Sequence, residues 1–215
     1  MGYEKGSIKC LLLRVADQWA LPGGFIKRNE SVEDASTRIL SERIGMSRTH
    51  SNFLAVFGHE DRQFQAQWRK LLADMQLPWE DDYWINERFV TLAHYALVNM
   101  ADSEVRPGEF VDEIAWIDFN ELPRMWVDHR SIALAARERL KEDVKKDQIS
   151  YKLLPEPFTM PELHRLHQAI LEKKLDRSRF QKNMLSTGRF ERLQQIVRET
   201  PGRNPFQYRE KRTYE

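Results

Sequence analysis

The chain has 215 residues, 41% hydrophobic and 31% charged, with nine Gly and nine Pro, which excludes disordered, collagenous and low-complexity classes and leaves room for one large domain or two small ones. The single Cys10 can form no internal disulfide, no apolar run approaches the roughly 20 residues of a membrane span, and the start Met1-Gly2-Tyr3-Glu4-Lys5 lacks the apolar centre of a signal peptide, so a reduced, cytoplasmic setting away from membranes is expected. The net charge of +1 conceals an asymmetry: residues 1–149 carry 20 Lys and Arg against 25 Asp and Glu, whereas residues 150–215 carry 14 against 8, so an acidic larger domain joined to a basic smaller one able to approach a polyanion is predicted.

Ile8 to Arg14 reads as a buried strand that stops at Ala16-Asp17-Gln18. Tyr3-Glu4-Lys5-Gly6 before it reads as a hairpin turn with almost nothing ahead to form the other arm, which predicts an open or borrowed sheet edge beside that strand. Trp19 to Ile26 forms a tight loop or short strand. Ser31, with Asp34 three residues on, caps a helix that ends near Gly45. Phe53 to Gly58, Phe89 to Asn99 and Glu113 to Asp118 follow as strands, and Ser131 to Lys141 as a helix. Short alternating strands and helices predict an α/β fold, an α/β/α sandwich over a mixed sheet.

Between two of these strands, Phe64, Trp68, Leu71, Leu72 and Met75 form one apolar helical stripe. It suits a helix packed on its own domain or on a second subunit, or, with Trp79, Tyr83 and Trp84, an aromatic lid over a ligand site. The densely charged Lys141 to Gln148 suits a joint or a solvated helix end. The expected division is 1–140 for the first domain, 141–152 for a charged linker and 153–215 for the second domain.

Gly24, five residues, Glu30, seven residues, Arg38, then Leu40, Glu42, Gly45 and Met46 have the skeleton of the Nudix box, G-x5-E-x7-R-E-U-x-E-E-x-G-U with U a bulky aliphatic. The resemblance implies a fold in which carboxylates on one helix hold Mg²⁺ or Mn²⁺ against diphosphate oxygens for hydrolysis. The three helix positions that supply them correspond here to Ile39, Glu42 and Arg43, and only Glu42 is a carboxylate. An isoleucine cannot coordinate a hard cation, and an arginine places positive charge where the ion would sit. No metal, no cofactor and no catalytic residue is therefore expected, while Glu30 and Arg38 brace the loop against the helix. A shifted metal site on Glu30, Glu33 and Glu42 is the alternative.

In the basic part, Thr159-Met160-Pro161-Glu162 opens an amphipathic helix carrying Leu163, Leu166, Ile170 and Leu171. Asp176 caps the next helix, in which Phe180 and Met184 face inward and Arg177, Arg179, Lys182 and Asn183 face outward; Gly188 ends it. Phe190 to Arg198 and Gln207 to Lys211 read as strands around a turn with Arg203 at its tip. Helix, helix and hairpin in that order make a winged helix-turn-helix, with the Asp176 helix as recognition element and the Arg203 turn as wing.

A Nudix-like domain followed by Leu153-Leu154-Pro155-Glu156-Pro157-Phe158-Thr159, Leu163 and Leu175-Asp176-Arg177-Ser178-Arg179-Phe180 resembles the Nudix-related transcriptional regulators of bacteria, and Asp128-His129, Ile132, Ala136 and Arg139-Leu140 resemble the end of their first domain. The resemblance spans nearly the whole chain. It implies a homodimer that binds a double-stranded DNA operator with inverted-repeat symmetry and senses a small-molecule effector, ADP-ribose or a sugar. Trp19, Phe25, Arg43, Arg62 and His129 are the expected effector contacts, and Arg177, Arg179, Lys182, Asn183 and Arg203 the expected DNA contacts. The opposing reading is an active Nudix hydrolase of a nucleoside diphosphate derivative.

Overall fold

The computed structural model describes residues 1–44, 51–103, 105, 111–146, 149–196 and 204–211, with the backbone only at 43 and 44. Its first domain is built around β2 (Ser7–Val15), whose central run Cys10 to Leu13 is apolar and buried because both faces of the strand are covered there. Ile8, Cys10 and Leu12 enter the main core with Ile132, Ala136 and Leu140 of α3 (His129–Lys146). Leu11 faces the other way and packs with Leu40 of α1 (Val32–Ile44), beside Ala96 and Val98. Since successive strand residues alternate faces, these contacts put one helix on each side of the sheet.

Along one edge of β2 runs β6 (Glu113–Asp118), antiparallel from Lys9 to Arg14. The other edge is shared by β1 (Gly2–Glu4) at one end and β3 (Gln18–Ala20) at the other. The expectation of an open or borrowed edge is therefore overturned. A two-residue hairpin through Lys5 and Gly6, both at positive φ (50° and 87°), lets three residues supply the missing arm. β4 (Ser51–Phe57) and β5 (Thr91–Ala96) form a separate antiparallel pair. Among the described residues every ladder is antiparallel, and parallel pairing is confined to the bridge between Trp19 and Met125.

The apolar stripe after Gln63 forms α2 (Gln65–Asp74), which packs on its own domain: Trp68 stacks on Phe89 at 6.0 Å and meets Trp126 edge-on at 5.2 Å.

The described part of the stretch 141–152, residues 141–146 and 149–152, is helical. α3 continues through it to Lys146, and a buried 3-10 turn follows at Ile149–Leu153. Charge density hides the reason: Leu140 and Val144 extend the buried stripe at i, i+4, and Asp143 is buried because it accepts from the Tyr95 hydroxyl and from Arg139 Nε. Ser150, fully buried, pairs its hydroxyl with His167 Nε2 at 2.6 Å.

β7 (Phe158–Thr159) leads into α4 (Met160–Leu171), which opens on a capping box: Thr159 Oγ1 accepts from the Glu162 amide, and the Glu162 carboxylate accepts from the Thr159 amide. α5 (Arg177–Ser186), β8 (Phe190–Gln195) and β9 (Phe206–Glu210) complete the domain, with sheet order β7-β9-β8. The strand β7, two residues long, was absent from the sequence reading. Phe180, Met184, Phe190 and Tyr208 join the same continuous core as the first domain. The expected wing tip, Arg203, lies outside the described residues.

Candidate effector and DNA-binding sites

The Nudix segment begins as a loop whose entry is fixed from α3. The Leu21 amide donates to His129 Nδ1 at 3.0 Å, and the Trp126 amide donates to the Trp19 carbonyl at 2.6 Å. At its exit the Ser31 hydroxyl accepts from the Asp34 amide and opens α1. Arg38 bridges loop and helix. Its Nε and Nη2 hold both Glu30 oxygens, at 3.0 and 2.6 Å; Nη2 also reaches the Phe25 carbonyl, and Nη1 reaches Glu42 Oε2 at 3.2 Å. This pairing and the Lys27 amide lower the Glu30 carboxyl to about 2, and Glu30 raises the Arg38 guanidinium in turn.

Of the three positions where the Nudix motif places metal carboxylates, Ile39 packs over Gly24, Glu42 is bonded to Arg38, and Arg43 brings a cation whose side chain lies outside the described residues, as do Gly45 and Met46. Among the described residues no three His, Cys, Asp or Glu side chains converge as a metal site. A hard divalent ion draws its oxygen ligands from carboxylates, phosphate and water, and of the three motif positions only Glu42 offers a carboxylate.

The expected effector contacts divide. Phe25 is 59% exposed and meets Trp84, itself 58% exposed, edge-on at 4.8 Å, so the Nudix loop and the segment after α2 touch through aromatic rings. Trp19 is half-buried against the main core, with the Arg14 guanidinium 5.9 Å from its ring. Arg62 is buried, and its five N–H groups all have acceptors: Asp128 twice, the Phe57 and Phe89 carbonyls, and Thr91 Oγ1. It clamps Asp128, just ahead of α3, to β4 and β5 and has no donor to spare. His129 is lowered to about 4, chiefly by burial and against the pull of Asp128, and it serves as a neutral acceptor for Leu21. A cleft of about 880 Å³ does open between the domains, lined by Tyr3, Met100, Trp116, Phe158 and Arg165 among others, but none of the expected effector residues lines it.

On α5, Arg177, Arg179, Lys182 and Asn183 are all exposed, and among the described residues their side chains make no ion pair or hydrogen bond. Asp176 Oδ1 accepts from the Arg179 amide at 2.7 Å and fixes the start of the helix. Phe180 and Met184 bury the opposite face. The cations are thereby presented on a rigid element, able to meet phosphates and base edges.

Sequence reasoning missed the acceptor set of Arg62 and the partners of His129, since those contacts come from distant segments. The Asp128-His129 dipeptide was the one available signal.

An arginine-bridged α/β/α domain sharing its core with a winged helix-turn-helix whose recognition helix carries unpaired cations defines a DNA-binding regulator with a built-in ligand domain. Residues 4–136 match the NUDIX domain family model, and the chain belongs to that family. Residues 150–209 match the model of the NrtR DNA-binding winged helix domain. Over 95% of this chain and 76% of the relative, it is 22% identical to the ADPR responsive transcriptional repressor NtrR of Acinetobacter baylyi. The Shewanella oneidensis NrtR structure in complex with a 27mer DNA superposes with a TM-score of 0.73 at 23% identity, covering 98% of this chain and 90% of that one. An ADP-ribose pyrophosphatase of Methanocaldococcus jannaschii is 25% identical over 53% of this chain and 54% of its own length. The chain is thus homologous to regulators that fuse a Nudix domain to a winged helix. Among the described residues no helix is long and apolar enough to cross a membrane.

Proposed function

We propose that this chain is a cytoplasmic transcriptional regulator that binds an inverted-repeat operator as a homodimer and whose Nudix domain reads ADP-ribose without hydrolysing it. The observation that carries the reading is the state of the Nudix helix. Ile39 and Arg43 stand at two of its three metal positions, and Arg38 engages Glu42, the remaining carboxylate. A helix left with one of the three motif carboxylates, and carrying arginines beside it, suits a diphosphate anion better than a divalent cation. The exposed Phe25 beside it offers a face for a planar base.

The test is a salt-resolved binding titration on an operator and on scrambled DNA, with and without ADP-ribose, together with recovery of the ADP-ribose after incubation with Mg²⁺ or Mn²⁺. Expected are preference for an inverted repeat with half-sites about one helical turn or a multiple apart, steep weakening with salt, a change in affinity on adding ADP-ribose, and intact nucleotide. Arabinose and phosphorylated sugars form the comparison arm. Cleavage that is abolished by Glu42→Gln would establish the hydrolase reading instead.

A further inference from the structure

Glu172 ends α4 in the left-handed region, at φ 52° and ψ 35°, where the chain turns toward Asp176 and α5. A glutamate held there is uncommon, and its carboxylate is gripped from the other domain. Oε1 accepts from Arg137 Nη2, and Oε2 from Lys141 Nζ at 2.7 Å. Both cations are positioned in advance on α3. Arg137 also donates to Asn120 Oδ1 at 2.9 Å and lies 5.6 Å from the Phe119 ring, while Lys141 donates to Glu138 at 2.8 Å.

The turn beyond Glu172 is fastened to α4. His164 Nε2 donates to the Leu175 carbonyl at 2.9 Å, the Leu175 amide donates to Gln168 Oε1 at 3.0 Å, and Phe180 of α5 packs edge-on against His164 and His167. α4, turn and α5 therefore move as one piece. The other end of α3 holds the Nudix loop and the segment after β4: His129 accepts from Leu21, Asp128 pairs with Arg62, and Trp126 just ahead of the helix meets Trp68. Arg137 and Lys141 lie 8 and 12 residues beyond His129, about 12 and 18 Å along the helix, so α3 connects the ligand loop to the turn of the DNA-binding module.

The apolar contact between the domains, through Leu140, Val144, Leu163 and Leu166, supplies adhesion but little direction. Ionic hydrogen bonds from pre-positioned donors have a preferred geometry and do supply it. We propose that the Arg137–Glu172–Lys141 clasp orients the recognition helix on the Nudix domain and is the contact through which a ligand at the Nudix loop changes operator affinity. The inference rests on the functional reading above. The three are positioning residues, acting through the orientation of α4 and α5.

Glu172 is 43% exposed, whereas Arg137 and Lys141 are each 18% exposed, so Glu172→Lys should fold with a melting temperature a few degrees below the wild type. Its ADP-ribose affinity should match the wild type. Its operator affinity should fall about tenfold, because a module free to pivot must be ordered on binding. The ratio of operator affinities with and without ADP-ribose should collapse toward one. The charge swap Arg137→Glu, Lys141→Glu, Glu172→Lys should restore both. Spin labels at Glu142→Cys and Gln181→Cys, introduced beside the buried Cys10, should give one narrow distance that broadens in Glu172→Lys.

Wild-type operator affinity, ADP-ribose response and label distance in Glu172→Lys overturn the proposal, as does a loss that the swap leaves untouched. A wild type indifferent to ADP-ribose refutes the effector reading alone, and one indifferent to DNA refutes the regulator reading. The label distances then still decide the orienting role.

Discussion

Ile39 lies directly over Gly24: a Cβ built on that glycine would stand 2.9 Å from Ile39 Cγ1 and 3.0 Å from Cδ1. The residue that replaces a metal carboxylate in the Nudix helix thus closes the helix onto its own loop. Gly24→Ala should cost about 1 to 3 kcal/mol through overpacking, which is a melting-point drop of roughly 2 to 4 °C per kcal/mol at this size. In an Ile39→Ala background the same change should cost much less. Strictly additive effects in that double-mutant cycle would contradict the contact.

Arg62 predicts a large and chemically specific loss. Removing it strands two carbonyls, the Thr91 hydroxyl and the Asp128 carboxylate, so Arg62→Ala should destabilise by about 3 to 5 kcal/mol. Arg62→Lys should recover little, since three donors on a point charge cannot serve five acceptors arranged around a plane. Chemical denaturation of the two variants checks this, and a near-native Arg62→Lys would refute the clamp.

His129 and His167 are both lowered to about 4 from 6.5, each chiefly by burial. Between those values the unfolded chain binds more protons than the folded one. Stability is therefore complete above about pH 6.5 and is lost as pH falls toward 4. Each histidine contributes a slope of up to about 1.4 kcal/mol per pH unit. Urea midpoints measured from pH 7.5 to 4.5 should show the fall, and His167→Gln should flatten it by about one proton. Glu30 titrates near 2, below this window. A midpoint that stays constant from pH 7 to pH 5 would rule the effect out.

At the DNA face, Arg179→Ala should cost roughly 1 to 3 kcal/mol and relax preference at one base pair. Asp176→Ala should act differently. It leaves every cation in place but removes the acceptor for the Arg179 amide, so it should loosen the helix start by about 1 kcal/mol and weaken operator and scrambled DNA alike. Anisotropy titrations of both variants on both DNAs separate the two modes. Equal losses for Arg179→Ala on operator and scrambled DNA would reduce it to a phosphate contact.

Much of this architecture is legible locally. Glu113 to Asp118 reads as a strand and forms one over those residues; Thr159 with Glu162, and Asp176 ahead of α5, announce their helices through capping chemistry that acts within three residues. What stays hidden depends on partners far along the chain. Asp143 reads as a solvated charge until Tyr95 is placed against it, and Ser150 as a linker residue until His167 meets its hydroxyl. Arg62 looked like a free cation for a ligand because nothing near it in sequence reveals Asp128. Glu172 carries no local signal, since its left-handed backbone is a position where glycine is the usual occupant. Gly24, Glu30, Arg38 and Glu42 could be found because the chemistry of the motif fixes their spacing.

The pairing of Phe158 with Tyr208 has a consequence for how the chain is made. A ribosome releases β7 and α4 well before β9, so the small three-stranded sheet cannot close until Phe206 to Glu210 has been made. In the interval Leu163, Leu166 and Ile170 have a surface ready for them, because the Nudix domain with which they share a core is already complete and N-terminal domains fold first. The earlier domain thus shelters the apolar face of the later one, and a nascent chain stalled before Phe206 presents a finished Nudix domain with α4 resting on it.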